Sequence, residues 1–233
     1  MNQIILVTGP ARSGKSEWAE ALAIQSDKPV VYIATASRDP ADEEWLQRIQ
    51  QHQQRRPLDW MTIEVPEQLS DTLAQMPPNT CVLVDSLGTW VANLLSQEEA
   101  IWEKTMQEFL ETVQLVAADM IFVAEETGWG VVPPYPMGRT FRDRLGGLVR
   151  YLGTICEPVY LVTGGHVLNL SLLGSPLFGG RGLGIGDRGL GIGDRGLGIG
   201  DRGFSRGDAT RTGIGDWGSG IGDRGSGNNY DDQ

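Results

Sequence analysis

The run Gly9-Pro10-Ala11-Arg12-Ser13-Gly14-Lys15-Ser16 has the residue types and spacing of a P-loop. Its two glycines admit backbone conformations closed to side chains, so successive N–H groups can converge on a phosphate. Lys15 can reach the β- and γ-phosphates of a nucleoside triphosphate, and Ser16 can offer its hydroxyl to Mg²⁺. A second candidate group is a carboxylate. The apolar run Cys81-Val82-Leu83-Val84 ends in Asp85, which matches a strand whose terminal acid holds the nucleotide's Mg²⁺ directly or through water. The third is a histidine. His52 lies among Arg48, Arg55 and Arg56, and on a helix Arg48 and His52 share one face. Nearby cations disfavour imidazolium and attract a triphosphate, leaving a neutral ring nitrogen able to attack phosphorus. The same residues also read as a solvated polar helix that carries an incidental histidine.

These groups need elements to position them. Ile4 to Thr8 is a β-branched apolar run and predicts a buried strand leading into the P-loop. Glu17 to Ala23 predicts a helix whose positive N-terminal end lies under the phosphates. Pro29 to Thr35 predicts a second strand, ending in Thr35-Ala36-Ser37. Open α/β sheets bind ligands at the carboxyl ends of strands. Thr35 and Ser37 are therefore candidates for nucleotide contact, and equally an ordinary loop start. Asp39 as cap and Pro40 at the first helical position open a helix that runs through His52 to about Arg56, before Pro57.

Further along, strands are expected at Trp60–Val65, Cys81–Asp85, Asp119–Ala124 and Pro158–Thr163, the last closing the sheet. A helix opens near Leu69 and ends before Pro77-Pro78; others span Ser86–Leu95 and Gln97–Val116. Ile101, Trp102, Phe109, Leu110, Val113 and Val116 give the last of these an apolar face for the core. Glu125-Glu126 follow a strand end, and then comes a Gly-, Pro- and aromatic-rich stretch from Thr127 to Gly138. It predicts a binding loop or a contact with a neighbouring subunit. A helix from Arg139 carries Arg142 and Arg144 as well, suited to phosphate or to a salt-bridged surface. His166 after the last strand either approaches a ligand or is structural. Strands alternating with helices predict an α/β protein: a P-loop NTPase-like, doubly wound, mostly parallel sheet.

A net charge of −11 argues against general nucleic-acid binding. No apolar run reaches the length of a membrane span, and Ile4–Val7 is too short for a signal peptide, so the expected location is the cytoplasm. Cys81 and Cys156 lie in apolar segments and read as core thiols. Glycine divides the chain: 20 of its 32 glycines follow Phe178. Residues 1–178 are read as the catalytic domain and 179–233 as a Gly-rich low-complexity tail. The tail repeats Leu-Gly-Ile-Gly-Asp-Arg-Gly from Leu183, Leu190 and Leu197. It cannot offset its own ordering entropy, so disorder is expected. Its pieces match a DNA heptamer, GGGATTG, translated through three frames, with one codon changed where Arg replaces Trp217. The expectation is that a DNA tandem repeat ran into the end of the gene and that the tail has no selected function.

With these residues assembled, the body resembles the bifunctional adenosylcobinamide kinase/adenosylcobinamide-phosphate guanylyltransferase family. The resemblance rests on the P-loop with Thr8, Ala19 and Glu20; on Tyr32-Ile33-Ala34-Thr35-Ala36; on Arg48-Ile49-x-x-His52 with Arg56-Pro57, Trp60, Thr62 and Glu64; on Asp85 with Thr89-Trp90 and Asn93-Leu94-Leu95; and on Gly128-x-Gly130-Val131-Val132-Pro133 with Arg139, Phe141-Arg142-Asp143 and Gly146. It implies that a nucleoside triphosphate (ATP or GTP) phosphorylates the hydroxyl of adenosylcobinamide. GTP then guanylylates the histidine matching His52, and GMP passes to adenosylcobinamide phosphate. It also implies that the P-loop, Thr35 to Ser37, Arg55, Arg56, Glu64 and Asp85 contact the nucleotide, that Ser16 and Asp85 hold Mg²⁺, and that the protein is a homotrimer. Four places depart from the family's pattern: Pro10 for a second glycine, Gly88 for a Thr or another larger residue, Glu125-Glu126 for Asn-Glu, and Val149-Arg150 for Asn-Gln. The rival readings are a P-loop GTP-binding switch or assembly protein, which needs no histidine nucleophile, and a kinase retaining only one activity.

Overall fold

A computed structural model describes residues 2–37 and 43–177, without the side chains of residues 44–46, 48, 51 and 52. The expected Asp39-Pro40 helix start and the expected disorder of residues 179–233 lie outside the described residues. Seven strands form one sheet: β1 (Ile4–Gly9), β2 (Val30–Ala34), β3 (Met61–Glu64), β4 (Cys81–Asp85), β5 (Asp119–Glu125), β6 (Val159–Thr163) and β7 (His166–Asn169). Their order is β3-β2-β4-β5-β1-β6-β7. The first six are parallel; β7 is antiparallel to β6. The helices are α1 (Lys15–Gln25), α2 (Glu43–Gln54), α3 (Leu69–Ala74), α4 (Leu87–Asn93), α5 (Glu99–Leu115), α6 (Pro136–Ile155) and α7 (Leu170–Leu173).

The central strands are near-continuous apolar runs because both of their faces are covered, as parallel sheets require. Alternate residues of each strand go to opposite sides. Leu6, Ile33, Val84 and Phe122 pack with Leu73, Trp90, Phe109 and Leu148 from α3, α4, α5 and α6. Val7, Tyr32, Leu83 and Ile121 pack with Ala19 and Ala23 of α1. The larger core is centred on aromatic rings. Trp90 lies 5.1 Å from Phe109 and 6.0 Å from Trp102, and Phe109 stands edge-on to Phe122 at 5.5 Å. Each such side chain contributes roughly 1.5–3 kcal/mol on burial.

The α/β, doubly wound, mostly parallel architecture is therefore as expected, with three corrections. Val159–Thr163 does not close the sheet; β7 follows it through a Gly164-Gly165 turn with φ of 57° and 75°. Ile101, expected on the core face of α5, is exposed, while Trp102, Phe109, Leu110 and Val113 are buried. Helix α6 starts at Pro136 rather than Arg139, because Pro136 supplies the fixed φ of a first helical position. Cys81 and Cys156 are buried free thiols, and burial holds both above the usual thiol range. Among the described residues no helix is long and apolar enough to cross a membrane.

Candidate nucleotide-binding site

Strand β1 delivers the P-loop between β5 and β6. Gly9 pairs with Glu125, and its carbonyl accepts from the Glu126 N–H at 3.0 Å. A Cβ at Gly9 would stand 2.3 Å from the Val162 carbonyl oxygen, so the close approach of β6 requires a glycine there. Gly14 is required for a different reason, a φ of 91°. The left-handed backbone expected at both glycines is thus found at Gly14 and, unexpectedly, at Arg12 (φ 59°), but not at Gly9. Gly14 caps α1 without a side-chain hydrogen bond, so the N–H groups of the first turn are not claimed by a capping side chain. That end carries the positive helix dipole suited to a phosphate.

Lys15 is buried and its Nζ donates to the Pro10 carbonyl at 3.4 Å. The next residue, Ser16, donates through Oγ to Asp85 Oδ1 at 3.3 Å. Strand β4 is two strands away from β1, so this bond reaches across the end of β5. The other carboxylate oxygen, Asp85 Oδ2, accepts from the Tyr32 hydroxyl at 2.8 Å. Burial first, and then the Asp85 charge, hold that phenol protonated far above its usual range. A hydroxyl and a carboxylate side by side are the hard oxygen donors that Mg²⁺ takes from protein, its remaining positions going to water and phosphate. The pair therefore fits the metal role expected of Ser16 and Asp85.

Thr35 is fully buried. Its hydroxyl donates to the Ser86 carbonyl at 2.7 Å, accepts from the Ser86 N–H at 3.0 Å, and also meets the Thr89 hydroxyl. Thr35 thereby ties the tip of β2 to the start of α4, and its hydroxyl is engaged within the protein. Asn93 adds a second tie, donating to the carbonyls of Thr35 and Pro66, each at 2.8 Å. Ser37 is exposed, with its hydroxyl 3.2 Å from Asn93 Oδ1. Ala36 lies between them. Glu64 ends β3 in register with Ala34, at the same edge.

The two arginines after α2 have distinct settings. Arg55 bonds Glu17 at 2.9 Å and Glu20 at 3.4 Å, both on α1. Burial still holds the Glu20 carboxyl above its usual range, opposed by Arg55. Arg56 stacks its guanidinium 3.3 Å over the Tyr32 ring. His52 lies in the last turn of α2, three and four residues before these arginines; its side chain is outside the described residues. The segment that carries His52 is thus fastened to α1 and β2 beside the P-loop.

Of the arginines on α6, Arg144 is buried and bonds the carbonyls of Leu94 and Gln97 and the Glu99 carboxylate. Arg139 donates to the Pro133 and Pro134 carbonyls. Both are structural. Trp129, Val131 and Tyr135 of the preceding loop are exposed. His166 is exposed at the start of β7, its Nδ1 2.9 Å from the Gly164 carbonyl.

Tyr32, Thr89 and Asn93 tie this site together without having been singled out for it from sequence, and Glu125 ends β5 beside the P-loop strand. Each is brought there by the strand order. A signal was present for Glu125: it terminates an apolar strand, as Asp85 does.

The cobinamide kinase/cobinamide phosphate guanyltransferase family matches residues 5–170. The bifunctional adenosylcobalamin biosynthesis protein CobP of Pseudomonas aeruginosa is 38% identical over 174 residues, covering 74% of this chain and 98% of that protein. The CobU proteins of Escherichia coli and Salmonella typhimurium, described in the same terms, are 36% and 37% identical, each covering 70% of this chain and 96% of the relative. With a P-loop, a Ser16–Asp85 pair and this match, the chain is an enzyme of the cobinamide kinase/cobinamide phosphate guanyltransferase family.

Proposed function

We propose that the protein carries out two successive transfers. In the first, ATP or GTP phosphorylates the hydroxyl of adenosylcobinamide. In the second, GTP gives GMP to His52 with release of pyrophosphate, and the guanylylated histidine passes GMP to adenosylcobinamide phosphate, giving adenosylcobinamide-GDP. The observation that carries this reading is the fastening of the His52 segment to the P-loop framework through Arg55 on Glu17 and Glu20 and Arg56 on Tyr32. A switch protein has no use for a histidine in that segment.

The chain's own residues divide the work. The amides of Gly9 to Ser16 and the Lys15 ammonium bind the phosphates and offset the charge that develops on them. Ser16 and Asp85 hold Mg²⁺, which when bound neutralises phosphate charge. The tips of β2 and β3, with Ser37 and Glu64, border the nucleotide. Thr35 acts indirectly by fixing those tips. A covalent histidine intermediate splits one difficult transfer into two easier ones. The exposed Trp129–Tyr135 loop suits a neighbouring subunit, in keeping with a homotrimer, and the expected location is the cytoplasm.

The test is incubation with Mg²⁺ and α-labelled GTP, without corrinoid, followed by denaturation. The expected result is an acid-labile, base-stable label that disappears in His52→Ala while GTP binding persists. No label on protein that binds GTP overturns the guanylyl step and leaves a kinase or a switch.

A further inference from the structure

Three carboxylates stand at the carboxyl ends of the strands around the P-loop, and two are already engaged. Asp85 accepts from Ser16 and Tyr32. Glu126 accepts from the Thr8 hydroxyl at 2.7 Å. Glu125, the last residue of β5, is different. Its Oε2 is buried and accepts no hydrogen bond, while the Ser86 hydroxyl stands beside the carboxyl group. A buried acceptor of this kind is costly unless a ligand supplies the donor.

The space for that carboxylate exists because residue 88 is glycine. A Cβ at Gly88 would lie 2.0 Å from Glu125 Oε2 and 2.7 Å from its Cδ. Gly88 and Glu125 therefore share one space: the lack of a side chain on α4 admits a long acidic one from β5. Glu125 is in register with Gly9, the first residue of the phosphate-binding turn. Lys15 and Asp85 are its charged neighbours. This places it at the phosphate end of the site.

We propose that Glu125 is a catalytic residue of the kinase step, accepting the proton of the substrate hydroxyl, and that Gly88 makes room for it. The inference rests on the kinase reading given above. As the hydroxyl oxygen bonds the γ-phosphorus, the bond from that phosphorus to the β–γ bridging oxygen breaks. Its electron pair leaves with the nucleoside diphosphate. The hydroxyl proton passes to the Glu125 carboxylate and then to solvent after product release. Burial holds this carboxyl above the ordinary carboxylate range, opposed by the Ser86 hydroxyl and the Lys15 ammonium and reinforced by Asp85. A general base at such a position contributes about 10²–10⁴-fold.

Glu125→Gln preserves shape and removes basicity. The expected result is a fall of about 10²-fold or more in kinase turnover, with the KM values of nucleotide and corrinoid within about twofold, while α-labelled GTP still labels His52. Gly88→Ala is expected to lower the same turnover by displacing the carboxylate. Combined with Glu125→Gln it is expected to add little further loss, because both changes remove one interaction. Kinase turnover of Glu125→Gln within about threefold of the parent overturns the proposal. So does an equal loss of His52 labelling, which places Glu125 in the shared nucleotide site instead. A parent protein that labels His52 but phosphorylates no corrinoid refutes the kinase reading itself.

Discussion

Tyr32→Phe isolates one bond of the metal-holding pair. Tyr32 is almost fully buried, and its hydroxyl donates to Asp85 Oδ2 at 2.8 Å. Phenylalanine fills the same ring volume, so no cavity opens and the Arg56 stack over the ring persists. What is lost is a hydrogen bond to a charged acceptor, about 1.5–3 kcal/mol. Asp85 is only half-buried and can recruit water, so the lower end applies, about 1.5 kcal/mol. Part of this appears as stability: a chain of this size loses about 2–4 °C in Tm per kcal/mol. Part appears as a misplaced carboxylate, and partners that orient metal ligands typically affect metal affinity by about 10–100-fold. The expected outcome is a roughly tenfold weaker apparent Mg²⁺ affinity. It is read by titrating Mg²⁺ against binding of a non-hydrolysable GTP analogue, with Asp85→Asn as the reference for complete loss. An unchanged Mg²⁺ midpoint in Tyr32→Phe, alongside a large shift in Asp85→Asn, refutes the reasoning that Tyr32 orients the acid.

Lys15→Ala removes the ammonium that faces the transferring phosphates, and turnover of both reactions is expected to fall by about 10²–10³-fold, measured by corrinoid phosphorylation and by His52 labelling. Trp90→Ala empties the centre of the larger core and frees the Glu67 carbonyl, which the Trp90 Nε1–H bonds at 2.8 Å; a destabilisation of about 3–5 kcal/mol is expected in denaturant unfolding. Truncation after Phe178 is expected to leave both activities intact, because the family match ends at residue 170; a folded, soluble truncation that has lost activity refutes the reading of residues 179–233 as dispensable.

The parts of the site legible in sequence are those with a local cause. The P-loop is a contiguous turn between a strand and a helix, and Asp85 is an acid at the end of an apolar run, so both could be placed before any long-range contact was known. Tyr32 and Asn93 could not. Tyr32 meets Asp85 because β2 is paired with β4, and Asn93 spans the tips of β2 and β3 from the end of α4. Strand order is a property of the whole sheet rather than of any segment. The antiparallel β7 was locally signalled, since Gly-Gly between two β-rich runs is a hairpin turn with positive φ at both central positions. Arg144 illustrates the opposite case: its type suggested phosphate, but three protein acceptors claim the guanidinium.

The sheet order also brings positions 88 and 125 together. Strand β5 lies between the P-loop strand and the Asp85 strand, and Glu125 is its last residue. Gly88 in the first turn of α4 and the Glu125 carboxylate share one space. A residue larger than glycine at 88 requires the Glu125 carboxylate to shift or to be shortened. Gly88→Thr alone is expected to displace or strain Glu125, whose far end is flexible but enclosed. Glu125→Asn alone leaves a void. Together they restore complementary volumes, so a double-mutant cycle in denaturant unfolding is expected to give a favourable coupling of about 0.5–3 kcal/mol. Additivity within about 0.3 kcal/mol refutes the shared-volume argument. It leaves open the catalytic test of Glu125, because a base can act from a pocket that Gly88 does not shape.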